Sequence, residues 1–144
     1  MIKKLLLPRM DLSVISNRVS LGLLVLRLVA GVAFMMHGFG KIQAPFGWMG
    51  PDAPVPGVLQ ALAALAEFGG GLAWVLGLLT PLASLGILST MLVAAQFHIS
   101  KGDPFMGGYE LAIVYAAIAV MFIFVGPGKY SVDAQIVNKA NKAN

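Results

Sequence analysis

Four stretches of this chain are each about twenty residues long and almost wholly apolar, which is the length a helix needs to cross the roughly 30 Å hydrocarbon core of a bilayer. They are residues 19–39 (VSLGLLVLRLVAGVAFMMHGF), 58–78 (VLQALAALAEFGGGLAWVLGL), 81–99 (PLASLGILSTMLVAAQFHI) and 108–125 (GYELAIVYAAIAVMFIFV). Inside lipid every backbone polar group must be bonded within its own segment, so each run is predicted as a helix. Each also carries one or two polar residues, which suits helices whose polar groups face one another in a bundle. Charged residues are only 11% of the chain and apolar residues 58%. A soluble domain ordinarily has about 25% charged residues. The expected fold is all-α, an integral membrane four-helix bundle, multi-pass in the cytoplasmic (inner) membrane, with the lipid bilayer as its solvent.

The breaks between the runs are marked by turn residues. Residues 40–57 (GKIQAPFGWMGPDAPVPG) hold four of the eight prolines and cannot form a continuous helix. Leu79-Thr80-Pro81 is short enough to make the second and third spans a tight antiparallel hairpin, with Pro81 suited to a first helical turn. Gly126-Pro127-Gly128 stops the fourth span. The chain therefore divides into an N-terminal interfacial segment (1–18), a four-span membrane domain (19–128) and a cytoplasmic tail (129–144). In the tail Val132, Ile136, Val137 and Ala140 share one helical face, which predicts a short interfacial helix or a frayed end. The opening MIKKLLLPR breaks its apolar stretch at Pro8 and Arg9, so no cleaved leader is expected.

Charge sets the orientation. Lys3, Lys4, Arg9, Arg18, Lys129, Lys139 and Lys142 flank the outer ends of the four-span unit, whereas only Lys41 and Lys101 lie in the longer loops on the other face. The positive-inside rule then places both termini in the cytoplasm and the proline-rich loop outside. Because these cations sit beside apolar runs rather than in one patch, no nucleic-acid partner is expected. The chain has no cysteine, which excludes a disulfide framework, a thiol centre and a Cys-based zinc site.

The polar residues within the spans are the candidate site. Arg27 is eight residues into the first run, or about 12 Å from its start, and Glu67 is eleven residues from the end of the second. The two differ in depth by about 4–5 Å, within reach of an Arg side chain. An unpaired charge at that depth costs at least ~2.5–3.5 kcal/mol, so Arg27 and Glu67 are expected to pair. Such a pair either fixes helix register alone or also binds a ligand or relays a proton. Gly69, Gly70, Gly71, Ala73 and Gly77 form small-residue stripes beside Glu67 and are expected to serve close helix packing.

A second group gathers at the outer end: His37, Lys41, Gln96, His98, Asp103 and Glu110. Individually these residues suit a membrane boundary, with Phe46, Trp48 and Tyr109 as headgroup anchors. Together they suggest a pocket for a polar headgroup or quinone ring, with His37 or His98 as hydrogen-bond partner. The pocket is expected between spans one, two and four, with Gly31 and Gly38 opening space beside His37. No HxxxH or ExxH pair occurs, so no metal is expected. Ser84, Ser89 and Thr90 are expected to bond to their own helix rather than act as nucleophiles.

The runs RLVAGVAFMMHGFGK (27–41), LAEFGGGLAWVLGLLT (65–80), MLVAAQFHISKG (91–102), YELA (109–112) and GPGKYSVD (126–133) together resemble the DoxX family of small membrane proteins. The likeness covers residues 19–134, in order and spacing, and implies a four-helix membrane bundle. Arg27, His37-Gly38, Lys41, Glu67, Gly70 and Glu110 fall on the family pattern, whereas Pro81 stands where many members carry a basic residue. The family includes a subunit of thiosulfate:quinone oxidoreductases, so the resemblance implies a membrane subunit of a redox system. It would bind quinone and pass electrons with a partner protein, since this chain has no haem motif or nucleotide fingerprint and expects no covalently bound cofactor. A non-enzymatic scaffold or assembly factor, working with a protein partner or as a homo-oligomer, is the alternative. A small transporter gated by Arg27 and Glu67 is a third.

Overall fold

A computed structural model describes residues 15–142 of the chain. The interfacial segment expected over residues 1–18, and the uncleaved start, fall almost entirely outside that range. The elements are α1 (Asn17–Gln43), α2 (Gly57–Leu76), α3 (Thr80–Ser100), α4 (Glu110–Val125) and α5 (Val132–Lys142). Helices α1 to α3, and the run Phe105–Val125 that contains α4, are each long and apolar enough to span a bilayer. The described residues contain no strand.

Local chemistry sets each boundary. Ser16 caps α1, its hydroxyl accepting from Val19 N at 3.2 Å. At 27 residues α1 is about 40 Å long, and α2, at 20 residues, about 30 Å. Helix α2 ends on Gly77, whose φ of 65° lies in the left-handed region, and Leu78 N closes the turn onto Ala73 O at 2.9 Å. The hairpin to α3 turns through residues 77–79, with Pro81 in the first helical turn as expected. A wide turn over Phe105–Tyr109, with Gly107 at φ 77°, leads into α4. The last helix, α5, takes the place of a frayed tail.

The centre of the bundle is aromatic. Trp74 is fully buried and meets the rings of Phe34 at 5.5 Å and Phe122 at 5.0 Å, edge to face. Phe34 in turn meets Tyr115 at 4.5 Å. The Trp74 indole donates to Ser84 Oγ at 2.9 Å, and the Ser84 hydroxyl donates in turn to Thr80 O at 2.7 Å. One tryptophan therefore joins α1, α2, α3 and α4. Ser89 and Thr90 bond back to Leu85 O and Gly86 O, satisfying themselves within α3.

Helices α1 and α2 approach with almost nothing between their backbones. A Cβ on Gly31 would lie 2.7 Å from Gly71 O, one on Gly71 the same distance from Gly31 O, and one on Gly38 2.5 Å from Phe68 N. Gly31 and Gly38 therefore open no space for a ligand, because the backbone of α2 fills it. Gly70 meets Ile87 of α3, whereas Gly69 faces only Leu65 of its own helix. Ala73 is half-buried.

Candidate ion-pair site at the loop end of the bundle

Arg27 and Glu67 are both buried, but each has a different partner from the one expected. Arg27 is 1% exposed and grips four carbonyls. Its Nε donates to Trp74 O at 2.8 Å, Nη2 to Val75 O at 3.1 Å, and Nη1 to Pro127 O at 2.8 Å and Tyr130 O at 3.0 Å. Two of these acceptors end α2, where the helix dipole is negative, and two lie in the turn after α4. The guanidinium is thus a clamp between α1, α2 and the chain that follows α4. Gly77 must be glycine here for a second reason, since a Cβ on it would lie 2.7 Å from the Arg27 guanidinium carbon.

The expected Arg27–Glu67 pair fails for two geometric reasons. The ends of α1 and α2 are not flush: Arg27, ten residues into α1, lies beside the last turn of α2. Glu67 is seven to eight residues further back along α2, about 10–12 Å away along the axis. Helical side chains also tilt toward their own N-terminus. Arg27 therefore leans away from Glu67, and Lys41, near the other end of α1, leans toward it.

Lys41 Nζ donates to Glu67 Oε1 at 2.6 Å. The carboxylate side chain is 4% exposed and the Lys side chain 27%, so the pair is reached from one side only. Lys41 also lies 4.5 Å over the Trp48 ring. Trp48 is not a free headgroup anchor: its Nε1 donates to Gln60 O at 2.9 Å. The buried Gln60 amide accepts from Met49 N at 3.0 Å and donates to Val55 O at 2.8 Å. Gln60, to which no sequence signal pointed, therefore folds the proline-rich loop so that Trp48 lies against Lys41. Glu67 Oε2 is buried and has no hydrogen-bond partner among the described residues. An unsatisfied buried acceptor costs about 1–3 kcal/mol, more when charged.

The remaining outer residues separate from this pair. His98 and Asp103 bond to each other, Nδ1 to Oδ2, at 2.7 Å, and both are more than a third exposed. Glu110 is half-buried in the first turn of α4, where a carboxylate suits the helix dipole. Gln96 donates weakly to Ser100 Oγ at 3.3 Å. His37 is exposed, its ring 6.5 Å from that of Tyr115. The interior face of α1 runs through Arg27, Phe34 and Gly38 to Lys41, and His37 is off it. Among the described residues no three His, Asp or Glu side chains converge as a metal site.

A bundle of four membrane-length helices, clamped by one buried Arg at one end and carrying a half-satisfied Lys–Glu pair at the other, defines a small polytopic membrane protein. The DoxX family model matches residues 22–99, more than half of the chain. An uncharacterized protein of Haemophilus influenzae is 32% identical over 121 residues, 79% of this chain and 90% of that protein. Inner membrane protein YqjF of Escherichia coli is 33% identical over 129 residues, 82% of this chain and 93% of that protein. No solved structure matches. The chain belongs to the DoxX family and is a multi-pass protein of the inner membrane.

Proposed function

We propose that this chain is the membrane subunit of a quinone-linked redox system and that its working site is Lys41–Glu67 beneath Trp48. The observation that carries the reading is the orphaned Glu67 Oε2, a buried acceptor beside a Lys that is itself partly accessible. The pair fits an oxygen-bearing ring better than the sites around His37 or Arg27, since His37 lies outside and Arg27 is saturated by carbonyls. A bound quinone would supply the two-electron, two-proton chemistry that no side chain here can supply. Lys41 would donate to a ring oxygen, Glu67 would hold a proton at Oε2, and Trp48 would limit water. A partner protein would bring the other redox centre, with both termini of this chain in the cytoplasm and the site facing outward.

The scaffold reading is favoured by a separate observation: Phe34, Trp74 and Phe122 fill the bundle centre, each at most 1% exposed. Thermal melting of the purified protein with water-soluble quinone analogues tests the choice. A ligand that binds only the folded state raises the melting temperature by mass action. The rise should vanish in Glu67→Gln while the circular-dichroism spectrum stays native. No rise with any analogue, and no quinone in a lipid extract of the protein, would leave the scaffold reading standing.

A further inference from the structure

The face of α1 turned away from the bundle carries a shallow, open groove lined by Arg18, Leu21, Gly22, Val25, Leu26 and Val29. We propose that this groove binds one anionic phospholipid, its acyl chain along the apolar stripe and its headgroup at Arg18. The stripe follows helical spacing, with residues 18, 22, 25 and 29 on one side of α1. Gly22 makes the notch, since a Cβ placed on it meets nothing within 4 Å. From Arg18 to Val29 the groove is about 16 Å long, close to the roughly 15 Å of one leaflet's hydrocarbon layer. An acyl chain laid in it would end near the bilayer midplane with its phosphate at the second residue of α1.

Charge selects the occupant. Leu21, Val25 and Val29 are more than half exposed, so this face is covered by lipid or by another protein surface. A second copy joined through the same stripe in a parallel pair would set Arg18 against Arg18, a like-charge contact. Among the described residues no carboxylate pairs with Arg18. Lys129 bonds to Asn17, the neighbour of Arg18, so the same end of the bundle holds a second cation. An anionic headgroup satisfies this end, and a zwitterionic one leaves it less well compensated. The site is remote from Lys41–Glu67 and does not depend on what binds there.

Native mass spectrometry of the full chain released from vesicles of equal phosphatidylglycerol and phosphatidylcholine tests the proposal. The wild-type chain should retain phosphatidylglycerol in preference to phosphatidylcholine. Arg18→Gln should lower that preference about fivefold, the contribution expected of one basic residue near a membrane surface, and Arg18→Lys should keep it. Gly22→Leu should strip both lipids by filling the groove, with an unchanged melting temperature certifying the fold. An undiminished preference in Arg18→Gln, or undiminished lipid retention in a folded Gly22→Leu, would overturn the proposal. So would efficient cross-linking of Val25→Cys between two copies in those vesicles, because a second chain would then occupy the groove.

Discussion

The carboxylate of Asp133 caps Thr80, accepting from Thr80 N at 2.9 Å and, through its other oxygen, from Leu79 N at 2.8 Å. The partners are 53 residues apart. In return Asp133 N donates to Gly77 O at 2.9 Å, so the α2–α3 hairpin and the start of α5 are locked to each other. Leu79 holds φ 48° at this turn, a left-handed conformation that costs a non-glycine residue about 1–2 kcal/mol. The two charge-assisted bonds from Asp133 offset that strain and satisfy amides that would otherwise be orphans at the start of α3. Arg27 grips the Tyr130 carbonyl just upstream. The same short segment thus supplies an acceptor to α1 and a cap to α3.

Removing the cap should loosen the hairpin before the rest of the bundle. Asp133→Ala should lower stability by about 1–2 kcal/mol, as loss of an N-cap does. Leu79→Gly should recover about 1 kcal/mol of this by relieving the positive φ. Thermal melts of the two variants and their combination in one detergent check both values. A Leu79→Gly change that destabilises further in the Asp133→Ala background would show that the strain is not held by this contact.

Double-substitution cycles should separate the two buried charges. Arg27→Leu leaves four carbonyls without their donor and should cost at least about 3 kcal/mol. Arg27 and Glu67 share no partner, so Arg27→Leu and Glu67→Gln should be additive within about 0.5 kcal/mol. Lys41→Met and Glu67→Gln should instead couple by about 0.5–3 kcal/mol, the double variant losing less than the sum of the singles. Coupling of Glu67 to Arg27 rather than to Lys41 would contradict the geometry of both sites.

The spans, the hairpin at Leu79-Thr80-Pro81 and the stop at Gly126 were readable because apolar length and turn residues act locally. The partner of Arg27 was not readable, because it depends on how far one helix end slides past another. Residue counting assumes flush ends, and α1 overhangs α2. The tilt of helical side chains toward the N-terminus was available, and it favours Lys41 over Arg27 as the partner of Glu67. Asp133 lay within the family-like run GPGKYSVD, yet its role is a long-range cap that no periodicity reveals. Gln60 was hidden for the same reason: an amide in an apolar helix reads as tolerated polarity until the loop it organises is seen. His37 differs again: its residue type was legible, but its placement off the Arg27–Phe34–Gly38–Lys41 face was not.

Glycines that look alike in the sequence should respond differently. Gly31→Ala and Gly38→Ala force a methyl into the backbone of α2 and should cost about 1–3 kcal/mol, the usual range for overpacking. Gly22→Ala meets open space and should be neutral, or more stable by up to about 1 kcal/mol through helix propensity. Melting temperatures of the three variants provide the comparison. Equal effects at all three would mean that α1 and α2 are not in close backbone contact.

The topology can be tested from both faces of the membrane. Lys129 donates to Asn17 Oδ1 at 3.2 Å and its amide to Ser20 Oγ at 3.3 Å, so the start of α1 and the end of α4 share one end of the bundle. Arg18, Lys129, Lys139 and Lys142 lie at or beyond that end, while the opposite end has Lys41 and Lys101. The positive-inside rule counts Lys and Arg within about 15–20 residues of the spans, which predicts that the Asn17–Lys129 end is cytoplasmic. A fluorescent protein that matures only in the cytoplasm should therefore be bright when fused after Asn144. A phosphatase active only in the periplasm should be active when inserted between Gly50 and Pro51, in the loop that Trp48 and Gln60 fold. A dark C-terminal fusion with an inactive loop insertion would invert the chain in the membrane. It would then place the Lys41–Glu67 site on the cytoplasmic side.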